Sequence, residues 1–230
     1  MSRRARRAGP PRVSTTLAAL VAIGCGEPRP DGAATRPDVA DLVPPEATPT
    51  TVVIDTSRGA FEVAVHADWA PEGAARFLHL VDAGYYDDAR FHRDVPDFIV
   101  QWGLAGDLAL TAEWLNNTIP DDPVVATNTR GRIAFAFTEP GTRTTQVYIN
   151  LIDNVRLDAA GFAPFGEVVR GMEVVDALYS EYGETSGGGV RRGDQSRIVR
   201  EGNLYLDREF PLLDRLERAR RVNGTGGDGT

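Results

Sequence analysis

Residues 91–103 read FHRDVPDFIVQWG. Phe91, Val95, Phe98, Ile99, Val100 and Trp102 give the stretch its apolar character, and Pro96-Asp97 is a turn signal, so two short strands folded on a turn are expected. One arginine, Arg93, stands inside this run. A strand edge or a solvated face accepts a guanidinium there. So does the rim of an apolar pocket, where the charge is held beside whatever enters.

Working outward, the surroundings repeat the strand pattern. In TVVIDTSRGAFEVAVH (51–66) two β-branched runs flank Ser57-Arg58-Gly59, which predicts a hairpin. GRIAFAFTEPGTRTTQVYINL (131–151) predicts strand, polar loop, strand, and APFGEVV (163–169) another strand. APEGAARFLHLVDAG (70–84) predicts a helix: Pro71 suits the first turn, Phe77, Leu78 and Val81 recur at helical spacing, and Gly84 ends it. GMEVVDALYSEYG (171–183) predicts a second short helix. Residues 104–130 have no clear period, and IPDDP within them is a turn signal. ETSGGGVRRGDQ (184–195) is expected to be a loop. Beyond it, Leu206, Phe210, Leu213 and Leu216 recur every three to four residues, which predicts a C-terminal helix broken or started near Pro211. Many short strands, two separated helices and glycine-rich turns imply a closed or nearly closed β-barrel with helical plugs.

Composition bounds the rest. The chain has 230 residues, 42% hydrophobic and 25% charged, which suits one soluble domain with tails. It contains no apolar run of the ~18 residues that a conventional membrane helix needs. MSRRARRAGPPR carries only arginine charge, VSTTLAALVAIG follows as a short apolar stretch, and Cys25 closes it. This order predicts an export signal over 1–25. AIGC is similar to the lipobox of bacterial lipoproteins, with Ala22 where that motif prefers leucine, and the similarity makes Cys25 the expected lipid attachment residue. The expected location is therefore the cell envelope, either periplasmic or held at a membrane by the lipid alone. Residues 26–50, rich in Pro, Ala, Asp and Thr, are expected to be a disordered linker, 51–182 the barrel, 183–222 a loop with a helical extension, and 223–230 a disordered tail.

Loss of residues 1–25 removes five arginines and no acid, leaving 20 basic against 33 acidic residues and a formal charge of −13. Such a body is poorly matched to nucleic acid. Cys25 is the sole cysteine, so no disulfide supports the fold. His66, His79 and His92 include no i, i+4 pair, and no metal is expected. No G-x-S-x-G elbow is present. Asp121 and Asp122 lie between Pro120 and Pro123, as in a turn, and nothing fixes a separation between Asp107 and Glu113 for carboxylate-pair chemistry.

Several blocks occur in one order: GYYDDARFHRDVPDFIVQWG, GRIAFAF, TRTTQVYINL and RLDAAGFAPFGEVVRGMEVVDAL. Together, over about residues 52–180, they resemble the cyclophilin family of peptidyl-prolyl isomerases. The strongest element is Phe91-His92-Arg93 followed by Pro96, Phe98, Gln101 and Gly103. The resemblance implies a closed eight-stranded antiparallel β-barrel capped by two helices, here with the extra C-terminal helix. It makes Arg93 the catalytic arginine, with Gln101 beside it. Phe98, Ile99, Tyr148 and Leu157 match residues of the proline pocket, Ala136 a backbone contact with substrate, and Gln146 a polar contact. Phe162 falls where the family has a rim histidine, and Arg156 where many members have a tryptophan.

The implied reaction needs no cofactor. Rotation about an X-Pro bond breaks amide resonance, with a barrier of about 20 kcal/mol. A site has to grip the ring, leave the preceding carbonyl free and stabilise the twisted amide. The expected partners are proline-containing segments of folding proteins. The two departures at the rim leave an alternative, a non-catalytic proline-peptide-binding module of the cell envelope.

Overall fold

The computed structural model describes residues 48–186 and 195–222. The leader with Cys25, nearly all of the linker and the tail lie outside them. No described helix is long and apolar enough to cross a membrane.

The eight strands are β1 (Thr50–Thr56), β2 (Gly59–Val65), β3 (Arg93–Val95), β4 (Ile99–Trp102), β5 (Arg132–Phe135), β6 (Val147–Asn150), β7 (Pro164–Arg170) and β8 (Leu216–Arg221). They form one antiparallel sheet in the order β3-β4-β6-β5-β7-β2-β1-β8. No ladder between β3 and β8 is found among the described residues. Instead the segments entering those two strands meet: Arg90 bridges Arg215, Phe91 N donates to Asp214 O at 3.0 Å, and Leu216 N to Ala89 O at 2.8 Å. The expected closed barrel is thus a curled sheet whose seam is held by a single bridge.

Alternation fills the interior. Val52, Ile54, Phe61, Val63, Val100, Trp102, Ile133, Phe135, Val147, Ile149 and Phe165 are all buried in one cluster. Helix α1 (Pro71–Asp82) adds Phe77, Leu80 and Val81 to it. Full burial of each large side chain contributes roughly 1.5–3 kcal/mol.

Helix α1 has no cap in its own sequence: Ala70 precedes it and offers no side-chain acceptor. Asp122 supplies the cap from fifty positions away, accepting from Glu72 N at 3.0 Å and Gly73 N at 2.9 Å. A carboxylate there also answers the positive end of the helix. Arg143, itself buried, pairs with Asp122 at 3.0 Å. Asp122 lies in the turn foreseen for it and is structural.

Three features differ from the sequence expectations. Residues 104–130 contain a helix, α2 (Leu108–Trp114), started by the Asp107 carboxylate on Ala109 N at 2.7 Å. After α3 (Met172–Asp176), the C-terminal extension holds two short helices, α4 (Gln195–Glu201) and α5 (Asn203–Glu209). Finally, Leu216–Arg221 is a strand and not the end of a helix, so the barrel takes its eighth strand from the segment assigned to the extension. Leu, Glu, Arg and Ala all favour helix. The open edge of β1 overrides that preference by pairing Val52 to Thr56 with β8, burying Leu216 and Ala219.

Candidate active site

The β3–β4 hairpin aims the opening stretch. Pro96 and Asp97 form its turn, with Asp97 at φ 58° and Phe98 N donating to Val95 O at 3.1 Å. Pro at the second position and positive φ at the third is the pattern of a type II turn. Across the hairpin Arg93 faces Gln101; across the next pair Gln101 faces Tyr148; across the next Tyr148 faces Ala134. Directly opposed residues share a face. One transverse row on the outside of the sheet therefore reads Arg93, Gln101, Tyr148, Ala134. Ile99 and Gln146 lie two residues from members of this row and join the same face. The intervening Val100, Trp102, Val147 and Ile149 point into the core.

The row separates into two chemistries. Its polar wall is a hydrogen-bonded chain: Arg93 Nη1 donates to Gln101 Oε1 at 3.0 Å, and Gln101 Nε2 to Gln146 Oε1 at 2.8 Å. Gly103 keeps the glutamines in reach. At φ +116° a Cβ on Gly103 would stand 2.4 Å from Thr145 O, so only glycine lets the two chains cross this closely. The apolar slot joins Ile99, Ala134 and Tyr148, all buried, with the partly exposed Phe98, Ala136, Leu157 and Phe162. Tyr148 and Phe162 meet edge to face with centroids 5.9 Å apart. All nine positions singled out from the sequence as the site are brought onto this one surface. The N–H of Ala136 is already used, donating to Gln146 O at 2.9 Å, so only its carbonyl remains for a bound chain.

Two guanidinium groups flank Phe98. Arg93 Cζ lies 5.5 Å and Arg156 Cζ 4.9 Å from the ring centroid. Arg156, expected at the rim, thus covers the Phe98 ring.

Sequence reasoning missed the support behind the slot. The buried Asn128 donates to Phe162 O at 2.7 Å and to Asp158 Oδ1 at 2.8 Å, and its Oδ1 accepts from Tyr148 Oη at 2.9 Å and Asn150 Nδ2 at 3.2 Å. Asn154 donates to Phe98 O and to Asn150 Oδ1, both at 2.9 Å. Asn128 and Asn154, linked through Asn150, hold three slot residues by their backbones or hydroxyl. Burial, and then Asp158, hold the Tyr148 phenol well above its usual range, so it stays a donor. No spacing rule marks such asparagines; only their burial and their hydrogen bonds to the slot do.

Neighbours of Arg93 have shifted acidities. Burial lowers His92 to about 4, leaving it neutral; neither ring nitrogen has a hydrogen-bond partner of good geometry among the described residues. Burial first, then Asp176 and Asp214, raise Asp94 to about 7. Among the described residues no cluster of His, Cys, Asp or Glu could hold a metal ion.

The sequence matches the family described as cyclophilin type peptidyl-prolyl cis-trans isomerase/CLD over residues 51–201. The chain belongs to the cyclophilin-type isomerases. Among its relatives, peptidyl-prolyl cis-trans isomerase A of Dickeya dadantii is 37% identical over 138 residues, spanning 57% of this chain and 72% of the relative. Peptidyl-prolyl cis-trans isomerase B of Escherichia coli is 33% identical over 138 residues, spanning 55% and 82%. A crystal structure of a Cryptosporidium parvum cyclophilin-type isomerase has the same fold, at a TM-score of 0.56 and 18% identity, covering 76% of this chain and 98% of that one.

Two further residues enter the cyclophilin-type site from the C-terminal extension. Arg93 Nη2 donates to Glu184 Oε1 at 2.7 Å, and Gln195 Nε2 to Gln146 Oε1 at 3.0 Å. Neither was singled out from the sequence, because both lie in a stretch of loop composition some ninety and fifty positions from their partners.

Proposed function

We propose that this chain accelerates X-Pro rotation in exported proteins at the cell envelope, with Arg93 as the catalytic donor. The observation that carries the reading is the Arg93–Gln101–Gln146 chain running along the apolar slot. The proline ring enters among Phe98, Ile99, Tyr148, Leu157 and Phe162. Arg93 donates toward the prolyl nitrogen, whose lone pair is freed when twisting breaks the amide resonance, or toward the rotating carbonyl. Gln101 fixes the guanidinium, and Gln146 and Ala136 hold the peptide backbone beside the ring.

A charge-assisted bond of ~1.5–3 kcal/mol accounts for roughly ten- to a hundred-fold in rate. Orientation in the slot supplies the remainder. The partners are proline-containing segments of folding chains. Cys25 carries the lipid that holds the protein at a membrane; the AIGC stretch and the preceding basic and apolar regions support this.

The test is an isomerisation assay on the full chain with a blocked Ala-Pro peptide. Acceleration abolished by Arg93→Ala supports the reading. Peptide binding without acceleration would instead support a binding module, a reading that Arg156 over Phe98 favours.

A further inference from the structure

The two polar contacts a peptide needs are already made within the chain. Arg93 gives Nη1 to Gln101 and Nη2 to Glu184, and its Nε is buried without a partner among the described residues. Gln146 Oε1 accepts from Gln101 and from Gln195 together. A carbonyl has two lone pairs, so that acceptor is full. The Glu184 carboxylate on Arg93 occupies a donor that the twisted amide would use.

These contacts rest on fixed anchors. Ser186, buried, donates to His92 O at 2.9 Å, pinning the chain two residues after Glu184 against the entry to β3. Before Glu184, Tyr182 packs on Tyr179 at 4.9 Å and on Phe210 at 5.2 Å. After Gln195, α4 and α5 bury Ile198, Tyr205 and Leu206 against Leu104, just beyond the β4 strand that carries Gln101. Asn203 donates to Asp88 O at 2.9 Å, and Arg90 pairs with Asp207 at 2.9 Å. Glu184 and Gln195 are therefore delivered to the groove by segments that are packed on the barrel.

We propose that Glu184 and Gln195 form an autoinhibitory clasp on the polar wall, which an incoming peptide displaces before Arg93 can act. The clasp rests on the isomerase reading of Arg93. It leaves the apolar slot uncovered, so the ring docks first and the peptide carbonyl then competes with one carboxylate for one guanidinium. Because that competitor is an ion pair, its hold weakens as salt rises. The enzyme is restrained at low ionic strength and released at high.

The experiment compares the full chain with Glu184→Gln, on a blocked, uncharged tetrapeptide containing Ala-Pro, across ionic strength. Losing the charge-assisted bond, kcat/KM rises about five-fold or more in the variant. The parent rises with salt while the variant stays flat. An unchanged or lowered kcat/KM in Glu184→Gln overturns the clasp, the latter result making Glu184 a positioning residue for Arg93. If no version turns over, the isomerase reading fails, and the clasp is then judged on binding of the same peptide by NMR titration. Tighter binding by Glu184→Gln supports it; equal binding overturns it. Gln195→Ala gives a smaller gain in the same direction, since it removes a neutral bond.

Discussion

The two halves of the groove are built differently. The apolar slot is made by the barrel itself: its residues come from β4, β5 and β6, from the β3–β4 turn and from the β5–β6 and β6–β7 connections, and Asn128 and Asn154, joined through Asn150, hold them from behind. The polar wall draws on the barrel for Arg93, Gln101 and Gln146, then on the C-terminal extension for Glu184 and Gln195. One half is fixed by registers and buried amides, the other by one part-buried ion pair and exchangeable hydrogen bonds. On the proposed reading, recognition of the ring is rigid, while the availability of the donor is adjustable.

The largest expected effect lies on the polar wall. Arg93→Ala lowers kcat/KM by at least about ten-fold while peptide affinity changes much less, because a contact made mainly in the transition state raises turnover and not binding. Parallel isomerisation and binding measurements check this, and an equal loss in both would erase the distinction between the halves.

Asn128→Ala probes the slot. It leaves Tyr148 Oη and Asn150 Nδ2 without the Asn128 acceptor and Phe162 O without its donor. An orphaned buried polar group costs about 1–3 kcal/mol, so Tm falls by several degrees and peptide affinity drops with it. Calorimetry and peptide titration test both; an unchanged affinity would show that the slot keeps its shape without the asparagines.

Asp94→Asn tests the ground beneath Arg93. Asp94 is raised to about 7, so the fold binds its proton more tightly than the unfolded chain does. That contribution is present below about pH 4 and is lost as pH rises through 7. His92, lowered to about 4, works in the opposite sense: its contribution is present above the ordinary histidine range and is lost as pH falls through 4. Removing the carboxyl leaves the histidine slope alone. The Tm advantage of Asp94→Asn over the parent therefore grows from pH 4 to 7 and is constant above, as thermal melts across that range would record. A constant offset throughout would mean that Asp94 ionises normally.

The smallest effect belongs to Arg156. A guanidinium over an aromatic face at an exposed site is worth ~0.5–1 kcal/mol. Arg156→Ala accordingly weakens peptide binding by about two- to five-fold by freeing the Phe98 ring, and it leaves the salt dependence of turnover in place. Loss of that dependence would tie Arg156 to the polar wall instead of the slot.

Residues 91–103 determined much of this by themselves. Their apolar character predicted two short strands, and Pro96-Asp97 specified the turn that sets Arg93 opposite Gln101. These relations are local, spanning ten residues or fewer, so side-chain period and turn chemistry suffice to fix them. The blocks containing Ala136, Gln146, Tyr148, Leu157 and Phe162 located the rest of the slot through their family pattern. Only the tertiary structure decided that Leu216–Arg221, helix-favouring in composition, would pair with β1, that Asp122 would cap α1, and that Glu184 would close on Arg93. Each of those depends on which unsatisfied edge, amide or charge lies nearby after the chain has closed on itself. A strand edge and a part-buried guanidinium accept any partner of suitable chemistry, and the fold alone determines which one is within reach.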